Sequence, residues 1–467
     1  MIGLILATFT WEKLSERQAL AKLPPASANS PNVIIITLDT VRAESLSLYG
    51  YERKTSPQLE RLAQESAVFE QAIAPSSWTL PSHASMFTGR LYHELGSLGW
   101  TKPFRTSHLT LAEELGRRGY ETAGFAANIA YCTRTYGLNR GMIHYEDYPV
   151  SLGQMILSSS MGQAITNSNS IRQAIGYYNN LNAKSADVIN DDFFDWLSSR
   201  EQNRPFFAFL NYFDAHEPLL PPAPFNKQFG STDTNGDIMF QTTGVDFMNK
   251  ASWSEANLAN HRNSYDSSIA YLDDRLGILY NKLTEQKILD NTIVIITSDH
   301  GESFGEHGIF GHGNSLYFET LWVPLLIRFP SQVPRGVRIE QPVGLRDIPM
   351  TVLDLIGVNK GENSFPGQSL GRYWDKTANE SKTDTNQMIL SEISGANWME
   401  AKAPAFKGEV KSLVKDRYHY IRNSDGSEEL YNLKTDPKEL HSLAQTAEEQ
   451  KIMEEFRSEM KKVPVLK

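Results

Sequence analysis

The sequence predicts an α/β fold: a large, doubly wound and mostly parallel sheet flanked by helices, with a smaller carboxyl-terminal α+β subdomain that carries an antiparallel sheet. Three observations predict it. Continuous apolar runs alternate with helix-periodic segments between residues 32 and 359, as in sheets buried on both faces. After residue 359 the apolar runs are shorter, which favours an antiparallel sheet. The chain of 467 residues is also too long for one small core.

The pattern divides the chain into an amino-terminal segment with a linker at 1–31, a large α/β domain at 32–359, and a carboxyl-terminal subdomain at 360–467. Strands are predicted at 32–39, 122–127, 205–213, 292–297 and 324–329, with shorter ones at 388–393, 410–414 and 417–422. Helices are predicted at 55–70, 109–118, 186–199, 258–287 and 444–462. The polar segment 151–180 is interpreted as an insertion or mobile cap.

Charge and cysteine content exclude several classes of protein. The formal net charge is -10, whereas general nucleic-acid binding needs a basic face. Cys132 is the single cysteine, so neither an intrachain disulfide nor a cysteine-rich zinc site is possible. Any metal must therefore be held by oxygen and imidazole ligands, which suit harder cations.

The amino end, MIGLILATF, is apolar but too short to cross a bilayer. It is interpreted either as ordinary chain or as the remnant of a targeting or membrane segment. A lost membrane segment would allow membrane association, and an extracytoplasmic location is slightly favoured over a cytoplasmic one. The oligomeric state is not predicted.

A turn that leads into a helix is predicted between Pro75 and Arg90. Ser82 is the expected N-cap and Gly89 the expected stop, with Thr79 just before the helix. The unpaired N–H groups at a helix start favour negative charge. This is a suitable place for a charged nucleophile and an oxyanion.

Two of the predicted buried strands end in an acid, Asp39 and Asp299, and His300 follows the second. In an open parallel sheet, ligands bind beyond the carboxyl ends of the strands. Two carboxylates, an imidazole and the Thr79 hydroxyl are a plausible ligand set for one divalent cation. The run DHGESFGEHGIFGHG adds further histidines and glycines, which suit metal or anion binding.

Four stretches resemble the sulfatase branch of the alkaline phosphatase superfamily: NVIIITLDTVRAESLSLYGY, SSWTLPSHASMFTGR, IVIITSDHGESFGEHGIFGHGNSLYFETLWVPLLIR and YHYIRNSDGSEELYNLKTDPKELHSLA. The four stretches are distributed along the chain between Asn32 and Ala444. The resemblance places Asp39, Thr79, Asp299 and His300 at the metal-ligand positions, with Thr79 also at the nucleophile position.

The same resemblance implies further roles. His216 matches a histidine near the leaving group or the ester oxygens, and His312 falls close to a basic substrate-binding position. His83 stands where the family motif has arginine, and it is assigned to substrate binding. Arg42 and Asn128 are further candidates for contacts to the anion.

The sequence also departs from the family pattern. Sulfatases carry a formylglycine made from Cys or Ser, and Thr79 cannot be converted to that aldehyde because its Cβ carries a methyl group. Thr40 replaces the second Asp of the usual pair. Calcium, manganese and magnesium all suit the predicted ligands, and zinc suits them less well.

The leading hypothesis is therefore a metal-dependent hydrolase of phosphate mono- or diesters with a Thr79 nucleophile. The alternatives are a sulfuric ester hydrolase, a phospho-group transferase to an alcohol acceptor, and an inactive relative that binds an anionic glycan or lipid. Its substrate would be a small-molecule, glycan or lipid anionic ester. The segments 151–180 and 225–253 are expected to select the leaving group.

Overall fold

The structure is a computed structural model. It describes residues 2–27, 29–96, 102–104, 107–147, 184–201, 203–230, 250–358, 365–374, 387–446 and 449–464, with only the backbone described for 2–10. The predicted insertion at 151–180 and most of the variable segment 225–253 lie outside these residues.

The main sheet has eight strands among the described residues, and it confirms the predicted mostly parallel architecture. From one edge to the other they are β12 (Val337–Ile339), β2 (Ala67–Phe69), β11 (Leu325–Arg328), β7 (Thr292–Thr297), β1 (Asn32–Leu38), β6 (Phe206–Tyr212), β4 (Glu121–Ala126) and β5 (His144–Glu146). Only β11 runs antiparallel to its neighbours β7 and β2. The central strands β1, β6 and β7 are parallel, so their carboxyl ends lie at one edge.

Two small sheets accompany the main one in the described part of the chain. Strand β3 (Ala72–Ile73) pairs with β10 (Trp322–Val323) and with β13 (Val343–Gly344). Strand β8 (Ser303–Phe304) pairs with β9 (Phe310–Gly311) within the histidine-rich run.

The carboxyl-terminal subdomain carries the expected antiparallel sheet. Its order is β14 (Ile389–Ile393), β15 (Val410–Lys415), β16 (Tyr418–Arg422) and β17 (Glu428–Asn432). Strand β17 was not predicted, because its sequence EELYN has only two adjacent apolar residues and so no continuous apolar run. Met453 and Phe456 from the terminal helix pack on this sheet in a separate apolar cluster.

The α-helices with described bounds are Ile2–Ala21, Pro57–Ala63, Thr79–Thr88, Leu111–Arg117, Ala186–Ser199, Glu255–Glu285, Phe318–Leu321, Ile348–Leu355 and Gln450–Met460. The predicted helix at 55–70 was too long, because its second half forms strand β2. The terminal helix begins at Gln450 rather than at residue 444. No helix in the described ranges is both long enough and apolar enough for a membrane span.

Side chains along the central strands point alternately to the two faces of the sheet, and the site lies on one of these faces. Val33 and Ile35 of β1 join the core cluster that includes Leu80 and Phe87 of the Thr79–Thr88 helix. Ile34 and Ile36 point to the opposite core cluster. Because side chains alternate along a strand, Thr37 shares the face of Val33 and Ile35.

Candidate active site

Three elements of the chain meet at the candidate site. Asp39 follows strand β1, Asp299 and His300 follow strand β7, and Thr79 opens the helix packed on the same face of the sheet. All four residues are buried, with relative exposures of 2% or less. The register of β1 and β7 pairs Thr37 with Thr297, so both strands end at the same level.

Two carboxylate oxygens in this site, Asp39 Oδ1 and Asp299 Oδ2, have no hydrogen-bond partner among the residues that the structure describes. Burial, together with the charge of Asp299, raises the pKa of Asp39 to about 6. Burial also raises the pKa of Asp299 to about 7. Two neighbouring buried acids without a cationic partner are costly, and a bound cation would offset that cost.

The other oxygen of Asp299 is held firmly by backbone groups. Its Oδ1 accepts hydrogen bonds from the N–H of His300 (3.0 Å) and of Thr40 (3.3 Å). Thr40 reaches this position with a positive φ of 62°, which is an uncommon conformation for a non-glycine residue. The backbone bonds leave Asp299 Oδ2 as the oxygen available for a cation.

The imidazole of His300 is oriented by its own neighbour. Its Nδ1 donates to the carbonyl of Gly301 at 3.0 Å, so its Nε2 carries the free lone pair. That Nε2 lies 3.3 Å from Asp299 Oδ2 and 3.3 Å from Thr79 Oγ1. Burial, with the nearby His312 ring, lowers the pKa of His300 to about 4, which keeps the ring neutral.

Thr79 is the first residue of its helix, and Trp78 occupies the N-cap position. The prediction that Ser82 caps the helix was wrong. Ser82 lies inside the helix, and its hydroxyl donates to the carbonyl of Asp299 at 2.6 Å. This bond ties the helix to the end of β7. The prediction of Gly89 as the stop is confirmed by its left-handed φ of 66°.

The ligand atoms of Asp39, Asp299 and His300 all lie within 4.8 Å of one another. The two unpartnered oxygens and the free imidazole nitrogen fit a divalent cation with oxygen and nitrogen ligands. The structure therefore contains a candidate site for one divalent cation, and Thr79 Oγ1 lies beside it.

His216 and His312 come together beside this cation site. Their ring centroids are 5.0 Å apart, and the His312 centroid is 4.6 Å from that of His300. His216 Nδ1 donates to the carbonyl of Glu217 at 2.7 Å, and its ring stacks on Phe213. Burial lowers the pKa values of both rings, that of His312 to about 4.

A buried carboxylate orients His312. Its Nδ1 lies 3.0 Å from Glu302 Oε2, which fixes the ring. The pKa of Glu302 is raised to about 7 by burial and by the charge of Glu217. The histidine-rich run therefore supplies both His300 and His312 to one site.

The three residues assigned to substrate binding lie in different surroundings. Asn128 Nδ2 donates to Asp39 Oδ2 at 2.8 Å and lies 3.4 Å from Thr79 Oγ1. His83 is fully buried behind the nucleophile position, and its Nδ1 donates to the Thr79 carbonyl at 2.9 Å. Burial lowers the pKa of His83 to about 3, so the ring is neutral.

Arg42 is only 1% exposed, and its guanidinium donates hydrogen bonds to protein groups. It donates to Ser45 Oγ at 2.8 Å, to the Glu302 carbonyl at 3.2 Å and to Glu306 Oε1 at 2.9 Å. These bonds tie the end of β1 to the histidine-rich run.

Two groups near the site were missed by sequence reasoning. Lys250 is buried and pairs with Glu217, which also lies 3.0 Å from His261 Nε2. No local pattern marks Lys250. Asn211 is fully buried on β6 and contacts Asp39. A signal for Asn211 did exist, since it is an amide near the end of the otherwise apolar run FFAFLNY.

Two protein-family models match this chain. A family model described as Sulfatase matches residues 31–358, and one for the carboxyl-terminal region of N-sulphoglucosamine sulphohydrolase matches residues 305–465. The chain is 25% identical to an arylsulfatase of Clostridium perfringens, over 90% of this chain and 91% of that protein. It is also 25% identical to a choline-sulfatase of Rhizobium meliloti, over 90% of this chain and 83% of that protein.

Solved structures share the fold. The phosphonate monoester hydrolase of Agrobacterium radiobacter superposes with a TM-score of 0.70 at 21% identity, covering 92% of this chain and 94% of its own. An enzyme solved with its substrate D-glucosamine-2-N,6-O-disulfate gives 0.71 at 19% identity, covering 93% and 97%. The chain thus belongs to the sulfatase family, and it is a hydrolase acting on ester bonds.

Proposed function

We propose that this protein hydrolyses anionic esters with Thr79 as the nucleophile, and that phosphate mono- or diesters are preferred over sulfate esters. The single observation that carries the proposal is the position of the Thr79 hydroxyl. It lies 3.3 Å from His300 Nε2 and 3.4 Å from Asn128 Nδ2, beside two unpartnered carboxylate oxygens.

The identity of the nucleophile favours phosphorus over sulfur. Threonine cannot become a formylglycine, because its Cβ carries a methyl group. A hydroxyl nucleophile can instead attack phosphorus and form a phosphothreonine, which water then hydrolyses. The similarity to the phosphonate monoester hydrolase of Agrobacterium radiobacter is one of fold and leaves the substrate open.

In this proposal Asp39, Asp299, His300 and Thr79 hold one divalent cation, with manganese, calcium or magnesium preferred over zinc. When bound, the cation supplies positive charge that lowers the hydroxyl pKa and neutralises the ester oxygens. Asn128 keeps its amide within reach of Thr79 Oγ1 and can also donate to an ester oxygen.

The leaving group is assigned to the two histidines beside the nucleophile. In the reaction Thr79 gives its hydroxyl proton to water, and the bond from Thr79 Oγ1 to phosphorus forms as the bond to the leaving oxygen breaks. That oxygen takes a proton from His216 or His312, whose rings lie 5.0 Å apart. Burial lowers the pKa values of both rings, and an anionic ester between them would raise these pKa values.

Turnover of nitrophenyl phosphate, bis-nitrophenyl phosphate and nitrophenyl sulfate by the same preparation tests this proposal. The proposal expects phosphate ester turnover to exceed sulfate ester turnover, and dominant sulfate turnover would contradict it. Glycerol in the same assay separates hydrolysis from transfer, since a transferase would form glycerol phosphate and a hydrolase would release inorganic phosphate.

A further inference from the structure

Asn211 lies on β6, between β1 and β4, near the carboxyl ends of these three strands, where polar residues of the site are found. The register pairs it with Thr37 of β1 on one side and with Ala126 of β4 on the other. Asp39 follows the last residue of β1, and Asn128 lies two residues beyond the last residue of β4, so both stand at the carboxyl ends of the strands that flank Asn211. The topology thus places one buried amide between a cation ligand and the amide nearest Thr79.

The amide of Asn211 makes three hydrogen bonds that converge on the site. Its Nδ2 donates to Asp39 Oδ2 at 3.3 Å and to Thr37 Oγ1 at 3.4 Å. Its Oδ1 accepts from the backbone N–H of Asn128 at 2.9 Å. All of these groups are buried, so water cannot replace a bond that is lost.

These bonds decide which oxygen of Asp39 is free. Asp39 Oδ2 accepts from Asn128 and from Asn211, whereas Asp39 Oδ1 has no hydrogen-bond partner in the described part of the chain. A carboxylate with one oxygen saturated presents the other oxygen in a fixed direction. Asn211 acts twice on this arrangement, directly through Asp39 and indirectly through the backbone of Asn128.

A second route leads from Asn211 to the nucleophile. The Thr37 hydroxyl, which accepts from Asn211, lies 3.3 Å from His83 Nε2. The opposite nitrogen of that ring donates to the carbonyl of Thr79. Asn211, Thr37 and His83 therefore form a buried chain of hydrogen bonds behind Thr79.

We propose that Asn211 is a positioning residue of the cation site: it orients Asp39 and Asn128 so that Asp39 Oδ1 alone faces the cation. This inference rests on the cation site of the proposed function. It adds a residue that touches neither the ester nor the cation and that sets the affinity for the cation.

The test measures binding of Mn²⁺ alone to metal-stripped protein by titration calorimetry, with the Mn²⁺ spin-resonance signal as a second readout. Asn211→Leu is expected to weaken the Kd for Mn²⁺ by about tenfold or more, as loss of a partner behind a ligand does. Asn211→Ser also removes the amide that bonds Asp39, Thr37 and Asn128, and its side chain is smaller than that of asparagine. The same weakening of the Kd for Mn²⁺ is expected for Asn211→Ser, which serves as the test variant if Asn211→Leu does not fold.

A matched control separates positioning from general stability. Asn190 is also buried, and its amide bonds the Tyr212 hydroxyl and the Arg275 carbonyl, away from the site. Asn190→Leu is expected to lower Tm yet keep the Kd for Mn²⁺ within about twofold. At saturating Mn²⁺, Asn211→Leu is expected to recover most of its kcat for bis-nitrophenyl phosphate.

One additional variant, Asp39→Asn, distinguishes failure of the proposed cation site from failure of the proposed role of Asn211. If the wild-type protein and Asp39→Asn both bind no Mn²⁺, the proposed cation site is wrong. If the wild type binds Mn²⁺ and Asp39→Asn does not, an unchanged Kd in folded Asn211→Leu or Asn211→Ser overturns the role of Asn211 and leaves the proposed function standing.

Discussion

His300 Nε2 lies 3.3 Å from Thr79 Oγ1, although 221 residues separate the two along the chain. Two independent anchors hold this contact. The Gly301 carbonyl fixes the imidazole, and the hydroxyl of Ser82 fixes the Thr79–Thr88 helix against the end of β7. Contacts within the fold therefore arrange the nucleophile position and a cation ligand relative to each other.

Removal of the Thr79 hydroxyl should abolish the chemistry and leave the fold intact. Thr79→Ala is expected to reduce kcat/KM for the preferred ester on the order of a thousandfold or more, since the nucleophile is lost. Thr79→Ser retains a hydroxyl and is expected to keep much of the activity. The measurement is steady-state turnover of bis-nitrophenyl phosphate.

Thr88 provides a control on the same helix. It is equally buried, and its hydroxyl donates to the carbonyl of Ala84. Thr88→Ala is expected to change stability but not kcat. Full activity in a folded Thr79→Ala variant would reject Thr79 as the nucleophile.

Cation removal should destabilise the protein through Asp39 and Asp299. Chelation is expected to lower Tm, because a cation at 100 times its Kd contributes about 2.7 kcal/mol of stability. Asp39→Asn should remove this response and raise the Tm of the chelated protein, since an uncompensated buried charge disappears. Thermal melts with and without chelator measure both effects.

Asp273 is the matched acid for that experiment. It is buried on the long helix and accepts hydrogen bonds from the N–H groups of Gln58 and Leu59. Asp273→Asn is expected to lower Tm while the response to chelator persists. A chelator response that survives in Asp39→Asn would place the cation elsewhere.

His144 should make stability depend on pH. Burial opposes its charged form, but hydrogen bonds with Glu146 and Glu16 outweigh burial and raise the pKa of His144 to about 9. A raised histidine pKa stabilises the folded state fully below the unfolded value near 6.5, and this stability is lost as pH rises through 9.

The His144→Gln variant is therefore expected to flatten the fall in Tm between about pH 6.5 and pH 9. His441, whose side chain is 85% exposed, supplies the control variant His441→Gln, which should melt like the wild type at every pH. An identical pH profile for His144→Gln and the wild type would count against this ion-pair cluster.

Arg42 and Arg262 share one carboxylate and should differ in their effect on stability. Each guanidinium contacts Glu306 Oε1, at 2.9 Å and 3.0 Å, but their side chains are 1% and 34% exposed. Arg42→Met leaves Glu306 paired with Arg262 but removes the buried donors to Ser45 Oγ and the Glu302 carbonyl, so it is expected to cost about 1–3 kcal/mol. Arg262→Met should cost about 1 kcal/mol or less.

Denaturant unfolding measures both variants, and KM for the ester shows whether Arg42 also contacts the anion, as the sequence suggested. The bonds to Ser45, Glu302 and Glu306 favour a structural role. A raised KM in a stable Arg42→Met protein would support the anion contact instead.

Much of the fold and of the candidate site could be predicted from the sequence, because the sequence patterns that mark the strand ends and the helix stop are local. Apolar runs that end at Asp39 and Asp299 marked the central strands, and Gly89 marked the helix stop. The cap was misread because Ser82 bonds a carbonyl 217 residues away rather than its own helix. A contact that depends on tertiary packing has no local signature.

The same limit applies to the residues that surround the site. Asn211 acquires its partners only when β6 pairs with β1 and β4 in register. The short strand β2 was hidden in a helix-periodic stretch, since Ala67–Phe69 has too few residues to show a period of two.

The most direct test of the central claim is peptide mass spectrometry of protein acid-quenched during turnover of bis-nitrophenyl phosphate. If Thr79 attacks the ester, one nitrophenolate leaves and the peptide around Thr79 carries a nitrophenyl phosphoryl adduct during turnover, which is absent from Thr79→Ala. Turnover in the wild type and in Thr79→Ala at equal rates, with no adduct on that peptide, would contradict the account.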